Sequence, residues 1–137
     1  MISVTRMFEF AYAHKLEGHD GHCQNLHGHN GVLEVEVAPC TLGFGNSYCC
    51  QLKEGHQVPL RDAMVTDFSH LKQVVTETVV DYLDHKYLND LFTFHPTAEN
   101  LCMWIVDTLK ANLIGLRIMR VRLWENSRSY AEWKRGD

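Results

Sequence analysis

Hydrophobic and polar residues alternate in three segments of the chain, which is the pattern of strands that bury one face. The first segment, residues 2–12, has an apolar side chain at most second positions. The second, residues 32–37, alternates leucine and valine with two glutamates. The third, residues 118–124, directs Arg120 and Arg122 outward. These segments predict one sheet, with the third segment as its last strand.

Two segments between the second and third strands have apolar residues three and four positions apart, which predicts amphipathic helices. Asp67 is a suitable N-cap for the first helix, which should extend to about Leu83. The second helix should begin near Pro96 and end before Gly115. Strands and helices in this order predict an α+β fold.

The chain has 137 residues and a formal net charge of -4, so we expect a single domain over residues 1–137 with no nucleic-acid partner. We expect no membrane partner and a cytoplasmic location, because the sequence contains neither an apolar run of membrane length nor a signal-like start. Its five cysteines are an odd number, which favours free thiols or metal ligands over a disulfide framework.

Histidine is concentrated in one part of the chain, where five of the nine lie within sixteen residues. His27 and His29 stand at positions i and i+2, so an extended backbone directs both rings to the same side. His14, at the end of the first predicted strand, is the preferred third ligand, although the sequence also allows His19 or His22. Three histidines leave a fourth zinc position for water or substrate, as in catalytic zinc sites.

Two other interpretations of this loop are open at this point. The first is a solvated Gly- and His-rich loop that binds metal adventitiously. In the second, Cys23 is a fourth ligand and closes a structural zinc site.

Three further groups are candidates for chemistry. Cys23 lies four residues before His27, where nearby histidines and a dication would lower its pKa and make it a base or nucleophile. Asp84 and His85 place a carboxylate beside an imidazole, although the same pair would also suit a solvated helix end. Glu125 follows the last predicted strand, where its carboxylate could accept two hydrogen bonds from the edge of a heterocycle.

The motifs that carry these residues occur in a recognisable order: Ala13-His14, Cys23-x3-His27-Gly28-His29-Asn30, Asp67-Phe68, Leu83-Asp84-His85, Pro96-Thr97-Ala98-Glu99-Asn100 and Trp124-Glu125-Asn126. In this order, and over nearly the whole chain, they resemble the 6-pyruvoyltetrahydropterin synthase family. The Cys-x3-His-Gly-His spacing is most similar to its 6-carboxytetrahydropterin synthase branch, which serves queuosine biosynthesis.

The resemblance implies a tunnelling fold, in which a four-stranded antiparallel sheet carries two helices on one face. Three subunits would close a barrel and two trimers would stack into a hexamer, so that the sheet edges pair between subunits. It also implies one Zn²⁺ per subunit, bound by His14, His27 and His29.

The resemblance further assigns roles to individual residues. Cys23 would be the general base, and Asp84 and His85 would complete the acid-base set from a neighbouring subunit. Glu125 would anchor the pterin edge, supported by Thr97 and Glu99. The implied reaction converts 7,8-dihydroneopterin triphosphate to 6-carboxytetrahydropterin, acetaldehyde and triphosphate; the alternatives are the 6-pyruvoyl product or a non-catalytic structural zinc protein.

Residues 38–60 depart from the family pattern, because this segment is longer than the corresponding hairpin of compact bacterial members. It contains Cys40, Cys49, Cys50 and His56. Adjacent cysteines are poor metal ligands, so we expect an inserted loop at the barrel rim rather than a second metal site.

Overall fold

The computed structural model of the protein describes residues 2–18, 21, 24–39 and 64–136. The elements, in chain order, are β1 (Val4–His14), β2 (His27–Pro39), α1 (Phe68–Val75), a π-helical turn (Thr76–Val80), α2 (Asp81–Leu83), β3 (Lys86–Tyr87), α3 (Leu88–Leu91), α4 (Ala98–Asn112), β4 (Leu116–Asn126) and β5 (Ser129–Lys134). Within these residues, no helix combines the length and hydropathy needed to cross a membrane. The cytoplasmic location stays a prediction.

The strands form one sheet in the order β3-β1-β2-β4-β5. The four long strands are antiparallel to their neighbours, and the two-residue β3 pairs with β1 in parallel. The register of β1 and β2 places His14 opposite His27 and Tyr12 opposite His29. The β-hairpin pairing therefore gathers side chains that are 13 to 17 positions apart in the sequence.

The helices cover one face of this sheet and close a single apolar core with it. The fully buried residues of the core include Leu33, Val35, Leu71, Leu83, Leu101, Ile105, Leu109, Val121 and Leu123. The alternation predicted for residues 32–37 is confirmed, because Leu33, Val35 and Val37 are buried while Glu34 and Glu36 lie on the other face. The predicted α+β fold, with helices on one face of a sheet, is confirmed.

Both predicted helices are present, with the predicted N-cap at the first. The Asp67 side chain accepts a hydrogen bond from the Ser69 backbone N–H at 2.7 Å, which satisfies one of the free donors at the start of α1. The first helical stretch runs to Leu83 as expected, through a π-helical turn that the spacing does not predict. Thr97 caps α4 by accepting from the Asn100 N–H at 3.2 Å.

The sequence-based prediction was wrong at three places in the sheet. The strand at 118–124 is not the last, because β5 follows it and pairs with β4. The short β3 adds a fifth strand to the expected four. Residues 38 and 39 belong to β2 rather than to a loop, since Ala38 and Pro39 pair with Arg117 and Leu116. The rest of the expected insertion lies outside the described residues.

The face of the sheet opposite the helices carries a network of charges across β2, β4 and β5. Arg120 contacts Glu36 at 3.0 Å, Glu34 at 3.4 Å and Glu132 at 3.5 Å, and Arg122 contacts Glu132 at 2.8 Å. The two arginines point outward as predicted, but paired glutamates on neighbouring strands neutralise them. These cross-strand pairs help to fix the register of the sheet.

This network predicts a pH dependence of stability. The pKa of Glu36 lies below its ordinary value because Ser3 donates a 2.6 Å hydrogen bond to it and Arg120 pairs with it. A carboxyl group with a lowered folded-state pKa stabilises the fold above its unfolded pKa, and this contribution is lost as the pH falls through the folded value. Denaturant titrations from about pH 5 to about pH 3 should therefore show a smaller loss of unfolding free energy in Glu36→Gln than in wild type. Parallel pH profiles would contradict this assignment.

Candidate metal centre

Three histidine side chains meet at the end of the β1–β2 hairpin. His14 ends β1, and His27 and His29 lie at the start of β2 on the face that becomes the core further along the strand. The Nε2 atom of His14 lies 2.8 Å from Nε2 of His27 and 3.1 Å from Nε2 of His29. One nitrogen from each ring therefore points to a common centre, and these atoms all lie within 4.8 Å of one another.

Backbone carbonyls fix the tautomers of two of these rings. The Nδ1–H of His14 donates to the Pro96 carbonyl at 2.8 Å, and the Nδ1–H of His27 donates to the Asn25 carbonyl at 2.7 Å. A carbonyl only accepts, so both rings carry their proton on Nδ1 when they are neutral and turn a bare Nε2 lone pair to the centre. Two lone pairs facing each other at hydrogen-bond distance repel, and a cation between them removes that repulsion.

Burial favours the neutral, metal-binding form of two of the rings, those of His14 and His29. His14 is completely buried, and burial lowers its pKa below the ordinary value despite the hydrogen bond to Pro96. Burial likewise lowers the pKa of His29. Around a tetrahedral zinc ion with Zn–N distances of about 2.0–2.1 Å, neighbouring nitrogens are about 3.3 Å apart, so the Nε2 atom of His14 needs to move away from those of His27 and His29 by only a few tenths of an ångström. The donor set and its geometry fit a divalent metal ion.

Glu125 places a carboxylate at the same centre. Its Oε1 lies 3.4 Å from His14 Nε2 and 3.3 Å from His29 Nε2. Strand alternation explains this position, since Glu125 follows the buried Leu123 by two residues on β4 and faces the same side of the sheet. The sequence predicts a role for Glu125 in binding but gives no indication that its carboxylate lies next to the histidines.

Tyr12 is a residue of the site that the sequence analysis missed. Its ring packs against the rings of His14 and His29, with centroids 5.4 and 5.5 Å away. The Tyr12 ring lies next to Gly31, and a Cβ at position 31 would be 3.0 Å from the Cε1 atom of that ring. Burial, together with the nearby Glu125 carboxylate, raises the pKa of the Tyr12 hydroxyl, which therefore stays protonated. A prediction of the β1–β2 register would have indicated this position, because that register pairs Tyr12 with His29.

The Tyr12 hydroxyl is buried and has no hydrogen-bond partner among the described residues. A buried, unpaired hydroxyl costs about 1–3 kcal/mol, so Tyr12→Phe should raise the unfolding free energy of the ligand-free protein by about 1 kcal/mol. Denaturant unfolding measures this change. The matched control Tyr130→Phe, at an exposed tyrosine, should change stability little. A clear loss of stability in Tyr12→Phe would mean that the hydroxyl is satisfied in solution.

Asp84 and His85 are attached to the edge of β1. The Ala11 N–H donates to Asp84 Oδ1 at 2.9 Å, and the His85 N–H donates to the Ala11 carbonyl at 2.6 Å. These bonds hold His85 in the left-handed region, with φ of 58°. The Asp84 Oδ2 atom lies 3.0 Å from His85 Nδ1, and the ring is largely exposed. The Ala11 and His85 contacts lower the pKa of Asp84, so it stays ionised beside the imidazole.

His85 lies at the edge of β1 and makes no direct contact with the three histidines. Alternation along β1 places His14 on the helix side and Ala13 on the other. His85 lines a shallow depression together with Ala13, Gly28 and Asn30, and His29 and Tyr12 line the same depression. Among the described residues, no hydrogen bond or ion pair joins His85 to the three histidines. Within the described part of one chain, the Asp84-His85 pair is therefore not bonded to the metal centre.

Two further predicted site residues, Thr97 and Glu99, make no hydrogen bond or ion pair with the three histidines in the described part of the chain. Thr97 is the N-cap of α4 and follows Pro96, whose carbonyl orients His14, while Glu99 is exposed in the first turn. Their role in binding stays a prediction. Cys23 lies outside the described residues, as do His19, His22 and the cysteines of the expected insertion.

Comparisons with known proteins agree over nearly the whole chain. A family model described as 6-pyruvoyl tetrahydropterin synthase matches residues 3–136. A Haemophilus influenzae protein named 6-carboxy-5,6,7,8-tetrahydropterin synthase is 34% identical, over 98% of this chain and 99% of its own. A Pyrococcus furiosus protein named dihydroneopterin monophosphate aldolase is 35% identical, over 88% of this chain and 84% of its own.

The fold has known structural neighbours as well. The structure of Caenorhabditis elegans 6-pyruvoyl tetrahydropterin synthase superimposes with a TM-score of 0.71 over 98% of this chain and 96% of that one, at 23% identity. At 23% identity this similarity shows the fold alone, a sheet with helices on one face.

Proposed function

The chain belongs to the 6-pyruvoyl tetrahydropterin synthase family, and we propose that it is a pterin-processing lyase that requires a divalent metal ion, most suitably zinc. The substrate is 7,8-dihydroneopterin triphosphate, and the products are 6-carboxy-5,6,7,8-tetrahydropterin, acetaldehyde and triphosphate. One water molecule supplies the extra oxygen of the carboxyl group. The observation that carries the proposal is the convergence of three Nε2 atoms in a chain of this family.

His14, His27 and His29 would hold the metal ion. When bound, zinc supplies Lewis-acid polarisation of the side-chain oxygens of the substrate, which acidifies the neighbouring C–H bonds. Pro96 and Asn25 contribute by fixing the tautomers of His14 and His27, because a misoriented ring would present N–H instead of a lone pair.

The chain's own acid-base groups move the protons. Cys23, four residues before His27, is the proposed base that removes a proton from the substrate side chain. His85 is the proposed acid that returns one, and Asp84 orients its ring through the contact with Nδ1 and stabilises the charged form. Glu125 is proposed to receive the amino-pyrimidinone edge of the pterin, with Thr97 and Glu99 supporting it.

The two halves of the acid-base set require two subunits in this proposal. His85 is not bonded to the metal centre within one chain, and in this proposal a neighbouring copy supplies it, in a homohexamer built as a dimer of trimers. Mixed oligomers of Cys23→Ala and His85→Ala should then regain about a quarter of wild-type turnover, since a random mixture pairs the two intact halves at that frequency. No recovery, with subunit exchange confirmed by mass spectrometry, would place both groups in one chain.

Product identification tests the reaction itself. Metal-loaded enzyme is incubated separately with dihydroneopterin triphosphate and dihydroneopterin monophosphate, and the products are identified by mass. Formation of 6-carboxytetrahydropterin with acetaldehyde from the triphosphate supports the proposal. A 6-pyruvoyl product would show elimination alone, cleavage of only the monophosphate would show an aldolase, and no turnover with tightly bound metal would indicate a structural zinc protein.

A further inference from the structure

The end of β1 that carries His14 has strand partners of unequal length on its two sides. On one side β2 pairs with it to the end, with His14 opposite His27. On the other side β3 ends earlier, and its last pair joins Ala13 to Tyr87. The described part of the chain therefore gives Lys15, which follows His14, no strand partner on the β3 side.

The side chain of Asn89 takes the place of the missing strand. Its Oδ1 atom accepts a hydrogen bond from the Lys15 N–H at 2.9 Å, and its Nδ2 atom donates to the Lys15 carbonyl at 2.8 Å. A side-chain amide offers the same donor and acceptor as a peptide unit, so the two bonds imitate one rung of a sheet. Leu88, next to Asn89 on α3, is completely buried, which anchors this contact in the core.

The contact lies one residue away from a proposed metal ligand. His14 is the last residue of β1, and strand ends whose backbone groups are unpaired open locally at little cost in free energy. Such opening would carry the Nε2 atom of His14 away from those of His27 and His29. A site that is already ordered binds its ligand more tightly, because less conformational freedom is lost on binding.

We propose that Asn89 is a positioning residue of the metal centre, which keeps the end of β1 in place and thereby keeps His14 aligned with the other two histidines. The inference rests on the proposed function, because it takes the three histidines as the ligands of the ion. Asn89 acts through the backbone of Lys15 and does not touch the ion. The Pro96 carbonyl orients the ring of His14, and Asn89 fixes the backbone that carries this ring.

The test measures the affinity of the full chain for Zn²⁺ alone, by competition with a chromophoric chelator. Asn89→Ala removes both bonds to Lys15 and should bind Zn²⁺ at least about tenfold more weakly than the wild type. The matched control is Asn112→Ala, because the exposed Asn112 side chain also donates to a backbone carbonyl, that of Thr108 in its own helix. This control should keep the wild-type affinity.

A second control separates positioning from a general loss of stability. Leu109→Val shortens a buried side chain in the last turn of α4, at the end of that helix far from Pro96. It should lower the free energy of unfolding but leave the Zn²⁺ affinity of the folded protein unchanged. Wild-type affinity in Asn89→Ala would overturn the inference, and so would an equal loss of affinity in Leu109→Val.

Failure of the wild type to bind Zn²⁺ would overturn the metal centre and the inference with it. Zn²⁺ binding without turnover of dihydroneopterin triphosphate would overturn the proposed reaction alone, so these failures are distinguishable. If Asn89→Ala does not fold, Asn89→Ser decides the question, because the shorter hydroxyl cannot bond both backbone groups of Lys15. Weaker Zn²⁺ binding by Asn89→Ser supports the inference, and unchanged binding overturns it.

Discussion

Replacing His29 by alanine is expected to abolish metal binding and to lower kcat/KM by at least about a thousandfold. The reason is that a Lewis acid contributes several kcal/mol to transition-state stabilisation, and each 1.36 kcal/mol corresponds to about a factor of ten in rate. Two imidazoles without the third would leave the ion weakly held. Metal content by mass spectrometry and turnover of dihydroneopterin triphosphate measure the two effects.

The matched control for this variant is His70→Ala. His70 is an exposed residue of α1, so its loss should leave both metal content and turnover unchanged. Added zinc should raise the unfolding temperature of the wild type and of His70→Ala, because a ligand that binds only the folded state stabilises it. A similar zinc-dependent increase in His29→Ala would contradict the assignment of His29 as a ligand.

Cys23→Ala is expected to separate metal binding from chemistry. If the thiol acts as the general base, its loss should lower turnover by about a hundredfold to ten-thousandfold while one ion per chain remains bound. The suitable control is Cys102→Ala, since Cys102 lies in the core and burial raises the pKa of its thiol to about 11. That variant should lose some stability but keep its turnover per folded molecule.

Two outcomes would contradict this role for Cys23. Loss of the ion in Cys23→Ala would make the sulfur a ligand and the centre a closed structural site. Turnover equal to that of the wild type would assign the proton abstraction to another group. Metal content and initial rates, measured on the same preparation, distinguish both from the expected result.

The sequence predicted the fold well where side-chain periodicity reflects burial. The strand at 32–37 and the helix from Ala98 to Asn112 each bury one stripe of residues, and the pattern of apolar positions follows it directly. β5 was missed because Ser129–Lys134 is partly or fully exposed at every position and so has no regular alternation. The two-residue β3 depends on the contacts of the preceding Asp84 and His85 with Ala11, which no local pattern encodes.

The candidate site was predictable only in part, because some of its geometry depends on contacts that no local sequence pattern encodes. The i, i+2 spacing of His27 and His29 is a local property of an extended backbone. The approach of His14 to His27 depends on the β1–β2 register, and the approach of Glu125 depends on the way β4 pairs with β2. Registers arise from packing of the whole sheet, so sequence spacing alone gives neither the Glu125 contact nor the place of Tyr12 beside the rings.

A crystal structure of the zinc-loaded protein, with anomalous data collected at the zinc absorption edge, tests the central claim most directly. The account predicts one anomalous peak per chain, about 2.0–2.1 Å from Nε2 of His14, His27 and His29, with the Cys23 sulfur outside bonding distance. A peak bound by the Cys23 sulfur, or located away from these three rings, would contradict it.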